Sequence, residues 1–155
     1  MKYMGYPKNN KYFQGIYTPI NKNKYMGSTN PVYRSSLERD FFLFFDNNPN
    51  VTAWASEGIV VPYYSEIDKK VHKYYVDLIA AIKDTHGNTQ KYLIELKPHA
   101  QTQPPTPKGN KKSSTVMYES LMWHKNQCKW KAAAEYAAKK GMKFVVLTEK
   151  YLTTH

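Results

Sequence analysis

At 155 residues the chain has the length of one ordinary domain, with 23 lysines and arginines against 12 acids and a net charge of +11. A charge that large favours polyanionic partners, nucleic acid first and an acidic membrane or protein surface second, and fourteen tyrosines add rings able to stack on bases. A single cysteine, Cys128, excludes an internal disulfide and a cysteine zinc cluster, while the absence of a signal-peptide core or a long apolar run predicts a soluble protein made inside the cell, with no membrane partner.

Residues 1–33 are rich in Tyr, Lys, Asn, Gly and Pro, hold no acid, and carry Lys2, Lys8, Lys11, Lys22 and Lys24. Without sustained periodicity they read as an extended or loosely folded basic arm, ahead of a domain over 34–155. A helix is predicted from Ser35, because Leu37, Phe41, Phe44 and Phe45 form one apolar stripe, Ser35 and Glu38 fit a capping box, and Asn48-Pro49 ends it. Two strand-like runs follow, 51–57 and 59–63, divided at Gly58, and 65–71 reads as a polar turn. One long strand is expected over 71–83, then the turn 84–88 and a strand over 91–97. Residues 98–115 form a loop rich in Pro, Gly and Lys. A helix is predicted over 118–140 with Gly141 as its stop signal, and 143–148 reads as a buried strand.

The two acid-bearing strands stand out. Tyr74-Tyr75-Val76-Asp77-Leu78-Ile79 and Tyr92-Leu93-Ile94-Glu95-Leu96-Lys97-Pro98 each set a carboxylate in an apolar, β-prone run. Residues two apart on a strand share a face, so Lys97 accompanies Glu95. Both faces of both strands are largely apolar, which predicts central positions in a sheet. A carboxylate buried there costs several kcal/mol unless paired. If the register brings Asp77 beside Glu95, a divalent cation relieves their repulsion, and an oxygen-only donor set favours Mg²⁺ or Mn²⁺. The plainer alternative is a Glu95–Lys97 ion pair with Asp77 satisfied by a backbone amide. Five histidines without H-x-x-x-H spacing argue against zinc, and no Walker-type phosphate loop is present.

These residues carry a family resemblance. Arg34-Ser35-Ser36-Leu37-Glu38, Val51-Thr52-Ala53-Trp54 with Glu57 and Pro62-Tyr63, Tyr75-Val76-Asp77 and Tyr92-Leu93-Ile94-Glu95-Leu96-Lys97-Pro98 resemble the PD-(D/E)xK nuclease superfamily. Together with 129–137 and 144–149, and with Met4-Gly5-Tyr6-Pro7-Lys8 and Tyr12-Phe13-Gln14-Gly15, they resemble the head completion nucleases of T4-like tailed bacteriophages, relatives of TnsA-type transposon endonucleases. The resemblance implies a restriction-endonuclease-like α/β fold, an α-β-β-β-α-β core whose central mixed sheet is flanked by helices. It implies Asp77 and Glu95 as Mg²⁺ (or Mn²⁺) ligands, Lys97 beside the attacking water, and Glu38 as an additional catalytic and metal-binding acid. Val76 stands where the superfamily name has its proline. Arg34, Lys108, Lys111 and Lys112 are then expected to hold DNA phosphates, with Gln101 as a further DNA contact.

The expected function is a Mg²⁺-dependent DNA nuclease with little sequence specificity, acting on packaged double-stranded phage DNA in the host cytoplasm during head completion and head–tail joining. The alternative is a DNA-associated neck or portal-binding structural protein with a vestigial nuclease fold. A transposase subunit of the TnsA kind is the weakest expectation, since no second DNA-binding domain follows residue 155 in the sequence.

Overall fold

The fold is described by a computed structural model for residues 13–106 and 109–154. Lys2, Lys8, Lys11 and Lys108 lie outside the described residues. The main sheet has four strands in the order β3-β6-β7-β8: β3 (Val51–Ser56), β6 (Leu78–Lys83), β7 (Thr89–Leu96) and β8 (Lys143–Leu147). The first three are antiparallel neighbours, and β8 joins β7 in parallel. A parallel neighbour needs a crossover, which α2 (Ser113–Lys139) supplies. With α1 (Ser36–Asn47) ahead of β3, the core order is α-β-β-β-α-β, a mixed sheet flanked by helices that is compatible with the restriction-endonuclease-like expectation. α3 (Glu149–Thr154) follows β8. Among the described residues no helix is long and apolar enough to cross a membrane.

Side chains alternate across the sheet, and the two faces bury different partners. Leu78 and Ala80 of β6 and their neighbours Ile94 and Leu96 of β7 pack with Leu37, Phe41, Phe42 and Phe45 of α1, Trp54 of β3 and Leu152 of α3. On the opposite side Leu93 packs with Val61, Tyr63, Tyr74, Val76 and, from α2, Ala133 and Ala137. The helical stripe expected of α1 is present, except that Phe42 is buried with it while Phe44 is half-buried and packs edge-on against Tyr151 at 5.6 Å. The capping box also forms: the Glu38 amide donates to Ser35 Oγ at 3.1 Å. As expected, β6 and β7 are the two inner strands.

The structure corrects four expectations. The long strand over 71–83 is two strands: β5 (Lys70–Tyr75) pairs with β4 (Val60–Ser65) in a separate hairpin, and β6 enters the main sheet. The break is held from both sides, since the Val76 amide donates to the Ile59 carbonyl and the Glu57 amide to the Asp77 carbonyl. Glu57 has a left-handed φ of 54°, which turns the chain out of β3 at the same level. α2 begins at Ser113, so the end of the supposed 98–115 loop is helical, and His99–Thr102 makes a 3-10 turn. β8 is an edge strand and half-buried rather than buried, because among the described residues no strand pairs with its outer side.

The fourth correction concerns the arm, whose described part is packed rather than loose. Gly15–Ile16 (β1) pairs with Val32–Tyr33 (β2), and the chain between them lies along β3, with Trp54 N–H donating to Lys24 and Met26 N–H to Trp54. That covers an otherwise open sheet edge. Asp46, fully buried at the end of α1, accepts hydrogen bonds from Tyr17 Oη (2.5 Å) and the amides of Ile20 (2.7 Å) and Asn21 (3.0 Å). Burial pushes its carboxyl up, but these bonds outweigh that and hold it below the ordinary aspartate value.

Candidate active site

The acids meet where β5 gives way to β6 and where β7 runs out. The β6–β7 ladder ends at the pair Leu78–Ile94. One further step of that antiparallel register sets Asp77 opposite Glu95. Lys97 follows two residues on, its amide bonded to the Leu147 carbonyl at 3.0 Å, so β8 fixes the segment that carries it.

Glu95 is 7% exposed, so its charge needs partners. The Tyr74 hydroxyl donates to one carboxylate oxygen, and Lys97 Nζ lies 3.7 Å from the other. Burial pushes its pKa up, while the ammonium groups of Lys97 and Lys129 draw it down. Asp77 accepts the Leu96 amide at 2.8 Å. Burial raises its carboxyl to about 6, against that hydrogen bond and the nearby Lys97. Both contacts of the plainer alternative are therefore present: the Glu95–Lys97 pair, and a backbone amide on Asp77.

Glu38 enters from the first turn of α1. Its carboxyl is raised to about 7, by burial first and then by the charge of Asp77, with Arg34 and Ser35 opposing. The structure thus brings Glu38 into the field of Asp77 while leaving it in its capping role. Arg34 lies at the rim, bonded to Glu57 at 2.5 Å, and its guanidinium also feels Glu38 and Asp77. Of the other expected DNA contacts, Lys111 pairs with Glu119 at 2.8 Å, Lys112 is exposed at the start of α2, and Gln101 is exposed in the 3-10 turn. The hydrogen bonds of Gln101 and Lys111 are local, and among the described residues none joins Gln101, Lys111 or Lys112 to the acids.

Lys129 is the group that sequence reasoning missed. It projects from α2 with its ammonium 5.4 Å from the centre of the Tyr74 ring and 6.0 Å from that of Tyr63. Burial and the neighbouring Lys125 draw its pKa down, while Glu95 and Asp77 oppose. In the sequence Tyr74 stands only within a β-prone run, yet its hydroxyl bonds Glu95 and its ring lies beside the Lys129 ammonium.

Oxygen donors alone, on three carboxyls whose pKa values burial raises, suit a hard divalent cation. Among the described residues, however, no three His, Cys, Asp or Glu side chains are assembled as a ready-made metal group. Asp77 and Glu95 would take a cation by exchanging present hydrogen bonds for it.

Residues 48–149 match the family described as TnsA-like endonuclease N terminal. That span contains Asp77, Glu95, Lys97 and Lys129 and leaves out Arg34 and Glu38. The chain is also 38% identical, over 141 residues, to the "Head completion nuclease" of Enterobacteria phage T4, covering 88% of this chain and 91% of the relative. No solved structure matches it. The chain belongs to the TnsA-like endonuclease family, with the T4 head completion nuclease as a relative over nearly its whole length.

Proposed function

We propose that this nuclease is a Mg²⁺-dependent deoxyribonuclease, also served by Mn²⁺, with little sequence specificity, which cuts packaged double-stranded phage DNA during head completion and head–tail joining in the host cytoplasm. Portal or neck proteins are its partners in that setting. The biological setting rests on the T4 relative. The chemistry rests on one observation: Asp77, Glu95 and Lys97 stand together at the same end of the two inner strands, with Glu95 buried beside the lysine.

In this reading Asp77 and Glu95 would hold the cation, and Glu38 would stand beside them as a further acid. A bound divalent ion supplies charge on the phosphate and a water of lowered pKa. Tyr74 fixes the Glu95 carboxylate by donating to it. Lys97 orients the attacking water or offsets charge on the phosphate as it passes through the in-line transition state. Glu38, held near pH 7, is suited to take the proton that the water loses as it bonds to phosphorus. The phosphodiester bond opposite the water breaks, and its oxygen leaves with the electron pair. Arg34 at the rim holds backbone phosphate.

A structural neck protein with a vestigial fold is the second reading. It is favoured by the partners that Asp77 and Glu95 already have in Leu96, Tyr74 and Lys97. One assay separates the two: linear and circular duplex DNA are incubated with Mg²⁺ or EDTA and with wild type, Asp77→Ala or Lys97→Ala. The nuclease reading expects metal-dependent degradation that each substitution lowers by orders of magnitude. Equal degradation by all three proteins would place the activity elsewhere, and none by wild type would favour the structural protein.

A further inference from the structure

Every fourth residue along one side of α2 reads Lys125, Lys129, Ala133, Ala137. The two alanines are fully buried and pack with Val61, Tyr63, Tyr74 and Leu93, so this side of the helix faces the hairpin and the sheet. The lysines continue the same stripe into the stretch of α2 beside the end of β7. Both are half-buried rather than turned out to solvent. Tyr63 and Tyr74 frame the Lys129 ammonium, and the second of these also bonds Glu95.

The arrangement works against helix stability. Two like charges one turn apart repel, and α2 offers neither lysine an acid three or four residues away. Among the described residues neither lysine forms an ion pair. Lys97 brings a third ammonium into the same field. Positive charge gathered on an inward helix face, with no ion pair among the described residues to hold either lysine, fits a polyanion that runs past the acids.

The geometry points to Lys125 and Lys129 as a phosphate rail on α2, with Lys129 contacting the phosphate to be cut and Lys125 a second phosphate of the same strand. The rail rests on the nuclease reading for what happens to the strand, but it concerns how the strand is held. It gives the site a second basic wall facing Lys97, and it explains why α2 turns from lysine to alanine where it leaves the acids and packs.

Binding of a short fluorescein-labelled DNA duplex, followed by anisotropy in EDTA between about 50 and 200 mM salt, tests it. Lys125→Gln and Lys129→Gln are each expected to lower the slope of log K against log salt by about 0.9, the value for one lost phosphate contact on duplex DNA. Lys129→Arg restores the slope. Lys83→Gln, at the far end of β6, leaves it unchanged. With Mg²⁺, Lys129→Gln is expected to lower kcat at least tenfold, and Lys125→Gln to raise KM with kcat nearly unchanged. If Lys129→Gln fails to fold, Lys125→Gln, outside the tyrosine frame, carries the slope test alone. Wild-type slopes in variants of a wild type that binds and cuts would overturn the rail. Reduced slopes with a wild type that never cuts would keep the rail and remove the nuclease reading.

Discussion

The buried acids predict a protein that becomes more stable when its proposed chemistry is removed. Asp77→Asn keeps the shape and an oxygen for the Leu96 amide, but removes the charge. The folded protein raises the Asp77 carboxyl from the ordinary 3.8 to about 6, by burial above all. Between those pH values the unfolded chain gives up its proton before the folded one does, so stability falls as pH rises. Full ionisation costs about 3 kcal/mol at 1.36 kcal/mol for each pKa step, and the residual solvent exposure of Asp77 trims this to about 2 kcal/mol. Urea unfolding in EDTA at pH 8 should therefore show Asp77→Asn more stable than wild type by about 2 kcal/mol, with the gap closing towards pH 4. The same variant should have lost DNA cleavage. An asparagine protein less stable than wild type at pH 8 would refute the reasoning, because it would make the aspartate charge a structural asset.

Asp46→Ala removes a buried acceptor of three part-buried hydrogen bonds, so urea unfolding at pH 7 should show a loss of about 3 kcal/mol; under about 1 kcal/mol would mean that 17–24 does not depend on this anchor. Because that carboxyl is held below its ordinary value, its contribution is complete above about pH 4 and fades only in stronger acid. Tyr74→Phe frees Glu95 from its hydroxyl donor and should lower metal affinity or cleavage by about 10–100-fold, as loss of a partner behind a ligand does, with thermal unfolding near that of wild type. Cleavage should rise with pH through about 6–7, as Asp77 and Glu38 give up their protons, and Glu38→Gln should move that limb down towards the Asp77 value; a flat profile over this range would exclude both acids.

What the sequence disclosed was mostly local. Ser35 and Glu38 announce a helix start by their spacing, and Asp77, Glu95 and Lys97 stand out as charges in apolar runs. What it concealed depended on distant partners. Tyr74-Tyr75-Val76 and Leu78-Ile79 are both β-prone, and the break between them is made by bonds to Ile59 and Glu57 in the connection between β3 and β4. α2 begins at Ser113 with no side-chain cap, and its first turns leave Met117, Tyr118 and Leu121 exposed, so neither a cap nor a buried stripe marks its start. Asp46 looks like any polar residue near a helix end until 17–24 folds over it. Lys129 looks like one helix lysine among several until Tyr63 and Tyr74 converge on it.

The account stands on a divalent cation shared by Asp77 and Glu95. Electron paramagnetic resonance of free Mn²⁺ tests this directly, by titrating the ion into wild type, Asp77→Asn and Glu95→Gln, with uptake read from the loss of the free-ion signal. Wild type should take up Mn²⁺, and each variant should bind it at least about tenfold more weakly. Uptake by both variants equal to that of wild type would contradict the claim, and with it the assignment of these two acids as the centre of a metal-dependent nuclease.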